Sequence, residues 1–124
     1  MKRILLAGVL SLMAMLTHAA TDTAKASPAN KAEMMARGNQ IAGAVCVACH
    51  GLDGKGNQKR ALDSVGTKLT PEEIRLWIVD PVDMAKKSTP TGKTIMKPYV
   101  KLPKEDLAAL VEFLAAKTKK QGPS

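Results

Sequence analysis

The sequence predicts an all-α fold on three observations. Apolar residues recur at helical spacing in three separate stretches, no run alternates apolar and polar residues as a half-buried strand would, and no internal repeat is present. Three main helices should therefore pack around one core, joined by connections rich in glycine and proline.

The first element in chain order is not part of that core. Lys2 and Arg3 precede an apolar run from Ile4 to Leu16, and small residues follow at Ala19 and Ala20. This is the charge, apolar, small order of a secretory signal peptide, removed after Ala19 or Ala20. The run contains Gly8 and Ser11 and is shorter than the ~20 apolar residues of a spanning helix, so no stable membrane anchor is expected after cleavage. No lipobox cysteine follows. The expected organisation is a signal peptide over 1–19, a flexible leader over 20–30, one domain over 31–117 and a basic tail over 118–124, exported to the periplasm.

Asn30 and Glu33 resemble a capping box, and Met34, Met35, Gly38, Ile41, Ala42 and Val45 continue at helical spacing into Cys46. The glycines at 51, 54 and 56 then mark a loop to about Lys68. Thr70-Pro71-Glu72-Glu73 opens a second helix with Ile74, Trp77 and Ile78 on one face, and it should stop at Asp80, before Pro81. Residues 81–101 hold Pro81, Pro90, Gly92 and Pro98 and show no sustained period, which reads as an irregular segment. The last helix begins near Pro103, with Glu105 and Asp106 in its first turn and Lys117, Lys119 and Lys120 at its end, each suited to the helix dipole. Leu107, Leu110, Val111, Phe113 and Leu114 form its apolar stripe.

The exported part holds about 105 residues, one ordinary domain. Its aromatic residues are Trp77, Tyr99 and Phe113. Such a core is thin unless a large apolar group is added to it. Cleavage leaves seventeen basic and eleven acidic residues, a net charge of +6. Nucleic acid is a poor explanation of the charge, because export is expected and the chain carries no basic-aromatic pattern or recognisable nucleic-acid motif. An acidic protein partner suits the charge.

Cys46-Val47-Ala48-Cys49-His50 is the C-x-x-C-H signature of covalent haem attachment. Two thiols three positions apart can each form a thioether with one haem vinyl group, and the adjacent imidazole then reaches the iron. A thioredoxin-like motif needs a preceding strand, whereas a helix leads in here. Zinc needs about four ligands, and the exported chain offers two thiols and one histidine. A bare Cys46–Cys49 disulfide requires that haem is never attached. His18 leaves with the signal peptide, so bis-histidine ligation within one chain is excluded. The remaining soft donors near the haem segment are Met84 and Met96, both in the irregular segment, whereas Met34 and Met35 read as core.

With these residues the sequence resembles the class I c-type cytochromes over nearly all of 34–117. Gly38, Ala42 and Cys46 stand at the family's four-residue steps in the first helix, and Leu110 and Phe113 match its last-helix pair. Leu76-Trp77-Ile78-Val79-Asp80-Pro81 and Met96-Lys97-Pro98-Tyr99 also match. The resemblance implies three main helices around one covalent haem c, with His50 and Met96 as axial ligands. Met96 is preferred to Met84 because Met-x-Pro-Tyr precedes the last helix and Pro98 stiffens the ligand loop. Two departures stand out. Ala42 replaces an aromatic, leaving Met35 or Ile41 to fill the helix crossing. No proline lies between His50 and Pro71, so the carbonyl that orients His50 is not identified.

The function expected is outer-sphere transfer of single electrons by a monomer, without enzyme activity. Lys86, Lys87, Lys93, Lys97, Lys101 and Lys104 surround the ligand segment and suit redox proteins with acidic docking surfaces. The alternatives are a haem subunit of a periplasmic oxidoreductase and an open-site haem peroxidase or gas sensor.

Overall fold

The first helix already includes Pro28 and Asn30 in the computed structural model, which describes residues 28–119. Helix α1 spans Pro28–Ile41. Asn30 lies inside it and so does not act as its cap. The expected signal peptide, leader residues 20–27 and tail residues 120–124 lie outside the described residues. Residues Ala42–Cys46 continue α1 as a π-helical turn, so the helix carries directly into the first cysteine.

The stretch expected as one loop after His50 is more ordered than that. Gly51–Leu52 (β1) and Lys55–Gly56 (β2) pair antiparallel. Asp53 at φ 48° and Gly54 at φ 81° form the two-residue turn between them. Positive φ at both central positions is what a type I′ hairpin turn requires. A 3₁₀ turn at Gln58–Arg60 and the short helix α2, Val65–Lys68, complete the segment.

Helix α3, Pro71–Val79, has the expected start and stop. Thr70 Oγ1 accepts from the Glu73 N–H at 3.3 Å, and Glu73 Oε2 accepts from the Thr70 N–H at 2.8 Å. The carboxyl of Glu73 is held below its ordinary range first by that backbone N–H and then by the threonine hydroxyl. Beyond α3 the chain departs from the expectation of an irregular 81–101. Pro81–Ser88 forms helix α4, and the Asp80 carboxylate caps it by accepting from the Asp83 N–H at 3.1 Å. The ring that cannot continue α3 is a favoured first residue of the next helix, so one proline ends α3 and starts α4. Lys86 and Lys87 occupy the last turn of α4, where its dipole favours cations. Residues 89–103 remain irregular.

Helix α5, Lys104–Ala115, carries Glu105 and Asp106 in its first turn as expected. Its end differs from the expectation: Lys117 and Lys119 lie past the cap residue Ala116 and are engaged elsewhere. Helices α1 and α5 cross where Gly38 and Ala42 are both buried. A Cβ on Gly38 would overlap the Ala109 carbonyl oxygen and stand 2.5 Å from Cβ of Phe113. The absence of an aromatic at position 42 thus accompanies a close approach of the two backbones. Met35 and Ile41 pack against the same core from the side, in keeping with the sequence pattern. Arg37 and Asp106 bridge the crossing at 2.8 Å. Ile74 and Ile78 of α3 join Leu110, Phe113 and Leu114 in the core, each buried side chain contributing about 2 kcal/mol. Met84 and Ala85 on α4 are buried apart from this cluster. No helix among the described residues is long and apolar enough to cross a membrane.

Candidate functional site

The π-helical turn delivers Cys46 to a tight turn that gathers three of the four expected site residues. The N–H groups of Cys49 and His50 both donate to the Cys46 carbonyl, at 3.1 and 2.9 Å. Cys46 is half-buried and Cys49 exposed, and no disulfide joins them. Burial pushes the Cys46 thiol up to about 11, so at neutral pH it is the neutral S–H.

His50 is half-buried, with Nδ1 3.0 Å from the Arg60 carbonyl oxygen. A carbonyl only accepts, so Nδ1 carries a proton, and in the neutral ring this leaves the lone pair on Nε2, the tautomer a metal ligand requires. This supplies the orienting carbonyl that the sequence left unidentified. No side-chain signal marks it, because the acceptor is backbone and its position depends on the hairpin and the 3₁₀ turn. The Arg60 N–H donates to the Asn57 carbonyl at 3.0 Å, and the Asn57 N–H donates to the His50 carbonyl at 3.3 Å. The Leu62 N–H donates to the Gly51 carbonyl at 2.8 Å. Gly56, at φ 72°, closes over the attachment turn: any Cβ there would overlap the His50 carbonyl. Its position demands glycine both for φ and for space.

Met96 stands on a separate segment between α4 and α5, half-buried, its N–H donating to Thr94 Oγ1 at 3.1 Å. That segment is anchored where the Tyr99 N–H donates to the Ile78 carbonyl at 2.8 Å and Tyr99 packs against the core. Pro98–Leu102 line a shallow open depression on the surface. Met84, expected in the same irregular segment, is instead buried at 6% exposure on α4. Lys86, Lys87, Lys93, Lys97, Lys101 and Lys104 are all exposed. Lys87 is already bonded to Asp83 at 2.6 Å, which holds the carboxyl of Asp83 down and the ammonium of Lys87 up.

The residues fit covalent haem c. Two unpaired thiols on one turn can form thioethers, and the imidazole beside them is fixed in the ligand tautomer. A thin protein core leaves apolar surface for a porphyrin to cover. Among known proteins, a family model described as Cytochrome c matches residues 35–117. Searches of curated proteins and of solved structures return no significant match. The match takes in the attachment turn, Met96 and every main helix from Met35 on, so the chain belongs to the cytochrome c family, an all-α domain that carries covalently bound haem and transfers electrons.

Proposed function

We propose that this chain is an outer-sphere carrier of single electrons, using one haem c bound through Cys46 and Cys49 with His50 and Met96 as axial ligands. The observation that carries this reading is the His50 imidazole, held by the Arg60 carbonyl with Nε2 free and two thiols on the same turn. When bound, the haem supplies the ferric–ferrous couple. The protein's residues do the rest. Arg60 fixes the imidazole plane and raises its donor strength through the Nδ1–H bond. Pro98 and the Tyr99–Ile78 hydrogen bond stiffen the segment that presents Met96. A thioether opposite imidazole favours the reduced metal. The N-terminal sequence supports export, and the periplasm is the compartment proposed.

Mass spectrometry of the exported protein combined with a reversible redox titration tests this. One haem added per chain and a one-electron transition are expected. An unmodified chain with a Cys46–Cys49 disulfide would overturn the reading.

The partner proposed is a redox protein with an acidic docking surface, met by the exposed lysines of 86–104. Changing Lys86, Lys93, Lys97 and Lys101 to glutamine together should lower the second-order rate with an acidic partner about tenfold at low salt, because steering depends on summed charge. Added salt should slow the wild-type protein towards the variant, since charges beyond about 8 Å are screened at physiological ionic strength. The reduction potential should stay close to that of the wild type. A rate indifferent to both changes would leave the lysines as a solvated face only.

A further inference from the structure

The chain does not end at α5. Residues 116–119 turn back across the loop that holds the orienting carbonyl and are fastened at three points to that loop and at one to the start of α2. The Gly66 N–H donates to the Lys117 carbonyl at 2.8 Å, and the Lys119 N–H donates to the Asp63 carbonyl at 3.0 Å. The Lys117 ammonium donates to Asp53 Oδ2 at 2.6 Å, and Lys119 Nζ stands 3.6 Å from Asp53 Oδ1. Asp53 is the residue at φ 48°, a conformation disfavoured for a side chain with a Cβ. Its N–H donates to Asp63 Oδ1 at 3.0 Å, so Asp63 holds the turn residue with its side chain while its own carbonyl receives the strap.

Lys117 is not an ordinary surface cation. Its side chain is 15% exposed, and its ammonium lies 4.6 Å from the centre of the Phe113 ring. The ammonium is shielded while the Asp53 carboxylate stays 43% exposed, and the charge-assisted hydrogen bond between them is stronger than a neutral one. The strap is also seated closely: a Cβ on Gly66 would overlap the Ala115 carbonyl and stand 3.0 Å from the Lys117 carbonyl. Between its fastenings at Asp53 and Asp63 lies the whole segment that includes Arg60. The bond from the Leu62 N–H to the Gly51 carbonyl ties the two ends of that segment together next to His50.

We propose that Lys117 and Asp53 are positioning residues for His50: the C-terminal strap clamps loop 51–64 and thereby keeps the Arg60 carbonyl aimed at Nδ1. The inference rests on the reading that His50 ligates the iron. Loosening the strap loosens the loop, weakens the Nδ1–H bond and lowers the donor strength of the imidazole. A poorer donor stabilises the ferric state less, so the potential rises.

The test uses the haem-loaded protein with Lys117→Met, Asp53→Asn and Lys117→Arg, and with Arg75→Met as a control that breaks an exposed pair with Glu72 on α3. Asparagine tolerates positive φ, so Asp53→Asn removes charge with little backbone strain. Two signals are read by nuclear magnetic resonance: amide hydrogen exchange at Asp53, Leu62 and Lys119, and the iron-shifted ring resonances of His50 in the ferric state. The potential is read separately. Lys117→Met and Asp53→Asn should speed exchange at those amides about tenfold, leave α1 unchanged, move the His50 resonances and raise the potential. Lys117→Arg should keep all three as in the wild type, and Arg75→Met should move none. Faster exchange with His50 resonances and potential unmoved would overturn the positioning role and leave a purely structural strap. Unchanged exchange would overturn the clamp itself. Absence of iron-shifted His50 resonances in the wild-type protein would overturn the ligand reading and the inference with it, and is distinguished because no variant is needed to see it.

Discussion

Gly38→Val should prevent the holoprotein from accumulating. The two carbons and the Cβ that valine adds point at the Ala109 carbonyl and Cβ of Phe113, and the backbone oxygen cannot rotate out of the way without breaking α5. Relief requires α1 to move off α5, which uncovers Ala42, Leu110 and Phe113 together. Overpacking of a core costs typically 1–3 kcal/mol when flexible side chains yield. Here rigid backbone is the obstacle, and about 4 kcal/mol is a large share of the roughly 5–15 kcal/mol that holds a domain folded. Thermal unfolding and haem yield measure it. Gly43→Ala is the matched control: a Cβ there meets nothing within 4 Å, so it should be neutral or slightly stabilising. A Gly38→Val protein that melts with the wild type would show that the helices do not cross at this glycine.

Spacing puts Gly38 and Ala42 on one face of α1 and Leu110 and Phe113 on one face of α5, and the resemblance to class I c-type cytochromes implies that those faces meet. The capping box at Thr70 and Glu73 is equally readable, since a side chain and its partner stand in fixed register three residues apart. Where sequence and structure part, two local rules compete. Pro81 signals the end of a helix, but Asp80, Pro81 and Asp83 also form a complete helix start, and Lys86 and Lys87 suit its end. The pair Asp53-Gly54 is a strong hairpin signal, but strands of two residues have no length over which alternation could show. Asn30 and Glu33 have the right spacing for a cap, yet the helix already includes Pro28 upstream of them.

The orienting carbonyl of Arg60 belongs to a different class. Its side chain is exposed and plays no part in the bond, so any residue with a carbonyl at that place in the loop would serve. Closure of the loop specifies it, through the hairpin, the Asn57 turn and the strap from Lys117 and Lys119. These are contacts across as many as 64 residues of chain, and spacing rules see only a few. The lysines at 117 and 119 suit the dipole of α5 by a short-range rule, but a long-range carboxylate claims them.

Met96→Ala and Met84→Ala should separate into opposite phenotypes, and the contrast decides between a carrier and an open-site haem protein. Met96 is half-buried on an anchored but irregular segment outside the core cluster, so truncating it leaves no cavity in that core, and any fall in melting temperature should come from the lost iron–sulfur bond. If its sulfur is the sixth ligand, the ferric protein has a weak far-red sulfur-to-iron band that Met96→Ala abolishes. The potential should fall, since removing the thioether removes its preference for ferrous iron. The reduced variant should also gain carbon monoxide binding, because the sixth position opens. Met84 is 6% exposed on α4, and its truncation should cost about 3 kcal/mol of stability through the cavity left behind. It should leave the band, the potential and the absence of carbon monoxide binding as in the wild type. Bringing the Met84 sulfur to the iron would require unpacking it from α4 at a similar cost, which is why the segment holding Met96 is the better source. Oxidising Met96 to its sulfoxide should partly reproduce the alanine variant by replacing a soft donor with a polar one. A band lost in Met84→Ala would move the ligand and keep the carrier, whereas a wild-type protein without the band that already binds carbon monoxide would favour the open site.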